Sequence, residues 1–153
     1  MKKFIILILS ALALTLIISG CGGGGGGGST PGKITATFHF QDQTGAGIKG
    51  LAIVYTDPNH TSNTSAYSDE NGNITTEITI AGPYSITAVK YDLSYMTGVT
   101  PPTGTISLNP SKDITVDQAD INRSKKVKYT VPITVDTTNI GNSTIGQITD
   151  TEI

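Results

Sequence analysis

A chain of 153 residues with 10 Lys plus Arg against 12 Asp plus Glu, and charged side chains at only 14%, gives no basic footprint for nucleic acid. Its one cysteine, Cys21, excludes an internal disulfide and any cysteine-cluster metal site. Thr, Ser, Asn and Gly are abundant instead, a composition that favours strands and turns over solvated helices.

The chain opens on Lys2 and Lys3, followed by an apolar run from Phe4 to Ile18 broken only by Ser10 and Thr15. Such a run, about 15 residues long, is short for a membrane span and right for a signal peptide. It ends in Ile18-Ser19-Gly20-Cys21. These residues resemble the lipobox of bacterial lipoprotein signal peptides. The resemblance implies cleavage before Cys21, a diacylglycerol on the Cys21 sulfur, and acylation of the amine that cleavage exposes. Ser19 and Gly20 are small enough for the peptidase site. Two or three acyl chains anchor stably where a single chain holds only marginally. Gly22 stands where an Asp would retain a Gram-negative lipoprotein in the inner membrane, so in such a host the resemblance implies the outer membrane. Loss of Lys2 and Lys3 leaves 8 basic against 12 acidic side chains.

Gly22 to Gly28 is an unbroken glycine run, continued by Ser29, Thr30, Pro31 and Gly32. With no side chains to bury, 21–32 is expected to be a flexible tether, its glycine-rich part reaching roughly 15–20 Å. It lacks the Lys-Ser or Lys-Thr ending and the preceding strand of a phosphate-binding loop. The packing domain is expected over 33–136 and a weakly structured tail over 137–153, with one weak strand around 143–148 as the alternative.

Period-two alternation marks the strands. Lys33 to Phe40 places Ile34, Ala36, Phe38 and Phe40 on one face. Leu51 to Thr56, Asn73 to Ile80 and Tyr84 to Tyr91 follow. Short candidates lie at Thr105 to Leu108 and Ile114 to Val116. A last run sets Val127, Tyr129, Val131, Ile133 and Val135 on one side. Pro132 cannot donate to a ladder, which places that strand at a sheet edge or turns this position to solvent. Gln43 to Gly47, Asp69 to Asn73 with its Asn-Gly pair, and Ala81-Gly82-Pro83 read as turns. No helical stripe of ten residues occurs. The reading is an all-β fold, a single Ig-like or transthyretin-like sandwich of about seven strands.

Gly47, Ile48, Gly50, Ile53, Asp69, Gly72, Ile74, Gly82, Tyr84 and Ile86 carry a further resemblance. Their order is similar to that of the carboxypeptidase-regulatory-like domain, a transthyretin-like sandwich related to Cna B-type repeats. It covers about residues 33 to 91, with Lys49 in place of a commoner Ala and Ile74 in place of an aromatic. The resemblance implies scaffolding, adhesion or carbohydrate contact and no particular reaction. It also raises a Lys–Asn isopeptide bond assisted by an acid, for which Lys33 and Glu77 are conceivable parts without a clear Asn partner.

No nucleophile–base pair, metal-ligand spacing or cofactor motif can be named. His39 sits on the polar side of the first strand and His60 in a loop, far from any Ser or Cys motif. Asp69, Asn71 and Asn73 begin like a calcium loop but lack its sixth-position Gly and twelfth-position Glu. Asp113, Asp117 and Asp120 read as a solvated acidic loop. Tyr91, Tyr95 and Met96 form a candidate binding loop, while Tyr84 and Tyr129 are expected in the core. The functional expectation is a non-enzymatic binding or scaffold lipoprotein of the bacterial envelope. It would be held to the membrane through Cys21 and would engage an envelope protein or polysaccharide. The alternative is a carbohydrate- or polymer-binding accessory subunit.

Overall fold

The computed structural model describes residues 32–136 and 138–153. The cleavage motif Ile18, Ser19 and Gly20, the lipidation candidate Cys21, and the tether up to Pro31 lie outside the described residues.

The elements in chain order are β1 (Ile34–Gln41), β2 (Leu51–Thr56), β3 (Ser62–Thr64), β4 (Asn73–Ile78), β5 (Gly82–Asp92) and β6 (Thr103–Val116). A short helix α1 (Gln118–Asn122) then leads to β7 (Lys126–Thr134), a 3-10 turn (Ile140–Asn142), β8 (Thr144–Ile145) and β9 (Thr149–Glu152). One sheet runs β4-β1-β7, with β8 and β9 both on the outer side of β7. The other runs β3-β2-β5-β6. The all-β sandwich is therefore confirmed, with β3 and β9 added to the expected strands and β8 falling within the weak strand offered as the alternative for 143–148.

The inward faces follow from the alternation. Ile34, Ala36, Phe38 and Phe40 of β1 meet Val127, Tyr129, Val131 and Ile133 of the parallel β7, Phe38 opposite Tyr129. Their rings stack with centroids 4.9 Å apart. Ile53, Ile86, Val89 and Ile106 supply the opposing face. Each such side chain contributes about 1.5–3 kcal/mol by burial.

Three expectations are corrected. Thr105 to Leu108 and Ile114 to Val116 belong to one strand, β6, rather than to separate short strands in loops. The register passes from Ile86 opposite Lys112 to Ala88 opposite Ser107, so Leu108 to Ser111 bulge out opposite Thr87 alone. Second, of the two alternatives for Pro132 the sheet edge fails, because β7 is interior to its sheet. Pro132 accepts from the Gly146 N–H at 2.8 Å, and its missing donor falls in the gap between the β8 and β9 ladders. Third, the tail is part of the sandwich. Ile140 and Ile148 are buried in the core, and β8 and β9 pair antiparallel with β7. Ion pairs from Arg123 and Lys125 to Glu152 tie β9 to the α1 connection. Tail polarity hid two apolar anchors spaced too widely to show a period.

Three loops share one design. Asp42, Asp57 and Asp69 each accept backbone N–H bonds from the residues two and four positions on, at 2.8–3.0 Å. The fourth residue of each loop has a left-handed φ: Gly45 at 87°, His60 at 61° and Gly72 at 75°. This is an Asx-stabilised turn, and it explains Asp69-x-Asn71-x-Asn73 without a cation.

Candidate functional site

The two ends of the sandwich differ. Gly32 and Lys33 lead into β1 at the proximal pole, beside α1. The distal pole gathers the β1–β2 and β5–β6 connections and the loop after β7. Eight residues of β1 separate the poles by roughly 25 Å.

The distal pole holds a cavity of about 450 Å³. Leu51, Tyr91, Leu93, Ile106, Ile133 and Ile140 line it, and Asp42, Lys49, Glu70, Tyr95 and Met96 stand around its mouth. Gly50 brings these parts together. Its φ is +81°, and a Cβ there would lie 2.2 Å from the Asp92 carbonyl oxygen. The Asp92 N–H donates to the Gly50 carbonyl at 2.8 Å, and the Gly50 N–H to Ser68 at 3.1 Å. The loop before β2 is thus clamped between the end of β5 and the stretch before β4. Only glycine combines that conformation with that approach.

The clamp sets Lys49 against Tyr95. The Tyr95 hydroxyl donates to the Lys49 carbonyl at 2.9 Å, and the Lys49 ammonium lies 5.0 Å from the ring centroid. Lys49 is also ion-paired with Glu70, which raises its pKa. Burial pushes the Tyr95 phenol up, partly opposed by the Lys49 charge. Among the polar groups of the lining, Asp42 accepts from Thr44 and Ala46, Gln43 accepts from the Val135 N–H, and Ser143 accepts from the Asp136 N–H. Each is occupied in holding the loops, so the cavity presents mainly apolar surface.

Of the expected binding loop, Tyr95 and Met96 are exposed, at 52% and 48%. Tyr91 is corrected: it is 2% exposed, a core residue beneath the cavity rather than part of a presented loop. The register shift between Ile86 and Ala88 moves the inward phase of β5 from Ile86 to Val89 and Tyr91, and Tyr91 fills the space over Gly104. The contributions of Leu93, Ile133 and Ile140 were missed. They come from three separate segments that only the folded topology brings together.

The remaining candidates disperse. His39 bonds through Nδ1 to Asn73 at 2.9 Å, and His60 serves a turn. Asp113 accepts from the Ser85 hydroxyl, whereas Asp120 pairs with Arg123 and Lys125. Among the described residues no cluster of three metal-ligating side chains forms. Lys33 pairs with Glu77 at an exposed position on the β1–β4 edge, where a solvated ion pair accounts for both. Tyr129 is buried, its phenol pushed up to about 12. Tyr84, expected in the core, is only half buried. It lines a smaller proximal cavity of about 200 Å³ and donates to the Ile80 carbonyl at 3.0 Å. A third hollow, about 500 Å³, follows the β6 bulge and residues 143–148. Among the described residues no helix is long and apolar enough to cross a membrane.

No family model matches this chain, and no curated protein does. Among solved structures it is similar to the major pilin subunit BcpA of Bacillus cereus, at 22% identity and a TM-score of 0.44. That match covers 67% of this chain and 30% of the pilin. A variant of the same pilin gives 21% identity and a TM-score of 0.42, over 65% of this chain and 29% of the other. The 5-hydroxyisourate hydrolase of Klebsiella pneumoniae gives 13% identity and a TM-score of 0.36, over 74% of this chain and 92% of that one. The chain thus spans less than a third of the pilin, and neither an assembly nor a reaction carries over. What it shows of its class is its own architecture, a two-sheet all-β sandwich.

Proposed function

We propose that this protein is a non-enzymatic binding or scaffold module of the bacterial cell envelope, held to a membrane by lipid on Cys21 and engaging its partner at the distal pole. The observation behind the reading is the apolar cavity at the end of the sandwich opposite the chain's path into β1. A chain tethered before β1 presents that end away from the bilayer. The lipobox-like sequence and the glycine run supply the anchor and the reach. A carbohydrate partner is the weaker reading. Tyr95 gives one ring face to the Lys49 ammonium and its hydroxyl to the Lys49 carbonyl, which leaves little for a sugar to stack on or bond to.

The test is site-specific photo-cross-linking in cells making the full chain. A photoreactive side chain at Met96 is expected to give a discrete adduct, whereas the same group at Glu77, near the proximal pole, gives none. Equal adducts from both positions, or none from Met96, would reject distal-pole binding. Cys21→Ser tests the anchor separately: the protein is expected to leave the membrane fraction.

A further inference from the structure

The distal mouth is one-sided in charge. Asp42 and Glu70 stand on it, Asp92 ends β5 beside it, and Asp69 and Asp136 lie in the loops that frame it. Lys49 is the cation at the mouth, and Glu70 already holds it. Asp42, Asp69, Asp92 and Asp136 have no cation within ion-pair distance among the described residues. Hydrogen bonds from the loop backbone and hydroxyls hold the Asp42, Asp92 and Asp136 carboxyls below their ordinary range, so all three are ionised at neutral pH. The apolar surface also extends beyond the cavity. Tyr95 and Met96, both at the mouth, are about half exposed. A small molecule inside 450 Å³ would leave those side chains uncovered, whereas tyrosine and methionine are the residues that protein interfaces favour.

We infer that the distal pole docks a polypeptide segment that places apolar side chains in the cavity and basic side chains on the acidic rim around it. The inference rests on the distal-pole reading above and adds the partner's chemistry. The apolar side chain supplies contact area in a cavity whose polar lining groups are already occupied. Flanking Lys or Arg side chains answer the unpaired carboxylates, steering encounter and rejecting acidic competitors.

The full chain, held by its own anchor in phosphatidylcholine vesicles on a sensor surface, tests this with three blocked hexapeptides: Gly-Lys-Leu-Leu-Lys-Gly, Gly-Glu-Leu-Leu-Glu-Gly and Gly-Lys-Ser-Ser-Lys-Gly. Bare vesicles serve as the blank. The first peptide is expected to bind at least about tenfold more tightly than either of the others at low salt, with the gap narrowing as salt is added. The double variant Asp42→Asn, Asp92→Asn keeps the turn-forming side-chain oxygens while removing two charges. It is expected to bring the basic and acidic peptides to within about threefold of each other, with the unfolding temperature showing that the fold is kept. Equal binding of the acidic peptide, equal binding of the serine peptide, or no binding of the first would each overturn the inference. If Met96 still cross-links while the peptides show no such preference, only the partner's chemistry fails. If neither occurs, the distal-pole reading fails with it.

Discussion

His60 occupies the left-handed position that Gly45 and Gly72 fill in the two sister loops. A side chain there costs about 1 kcal/mol or more of backbone strain, and glycine returns part of that gain through its freer unfolded chain. His60→Gly is therefore expected to stabilise the protein by about 0.5–1 kcal/mol, read as a rise of a few degrees in the unfolding temperature. Gly72→Ala should do the reverse, by about 2 kcal/mol or more, because its Cβ would lie 2.3 Å from the Phe40 carbonyl oxygen. The turn aspartates also set an acid limit. Asp42, Asp92 and Asp136 have carboxyls lowered from 3.8 by hydrogen bonds within their own turns, led by Thr44, Ser94 and Thr138 respectively. A folded-state value below the unfolded one gives stability that is present above the unfolded pKa and lost as pH falls through the folded one. The unfolding temperature should accordingly drop from about pH 4 downward, and the drop should be shallower in Asp42→Asn, which keeps the acceptor without titrating.

The C-terminal strands show how one element depends on a few anchors. Between Ile145 opposite Ile133 and Thr149 opposite Thr130, three residues face two on β7, and Pro132 sits in that interval. Ile148 lies within this bulge, 4% exposed, and plugs the core from a segment otherwise exposed to solvent. Ile148→Ala should cost about 2–4 kcal/mol, measured by denaturant unfolding. Arg123→Ala removes the paired bonds to Glu152 and the bond to Asp120 from a half-exposed side chain outside the core. It is expected to leave the unfolding midpoint nearly unchanged while amide exchange in Thr149 to Ile153 accelerates, since exposed pairs add little globally yet hold a fraying edge. A large midpoint loss in Arg123→Ala would show instead that β9 is integral to the cooperative unit.

At the scale of the whole molecule, β1 pairs in parallel with β7, so strands distant in the chain form the centre of one sheet. The same closure puts the β1–β2 loop, the β5–β6 loop and the segment after β7 around one cavity, with the chain's path into the domain at the other end. That polarity links fold to proposed role, because a tether at one pole leaves the opposite pole free to meet a partner. The proposed cross-link from Met96 and its absence from Glu77 are tests of this polarity, not of any single side chain.

Period-two alternation was legible because one buried face demands it. It located β1, β2, β4, β5 and β7 and assigned Ile34, Phe38, Ile53, Ile74 and Val131 to the core. The turns holding Gly45 and Gly72 were legible as well, since left-handed backbone favours glycine locally. Tertiary structure alone decided the rest. Tyr91 went inward although Tyr95 and Met96 face solvent, because pairing persists to Asp92 and the register shift after Ile86 sets Val89 and Tyr91 on the buried face. Pro132 lies inside a sheet because the partner strand is interrupted opposite it. The tail joined the fold through Ile140 and Ile148, whose burial exists only once β7 and β6 are in place. The cavity lining comes from segments far apart in the chain, and no local pattern encodes a space that forms only when those segments meet.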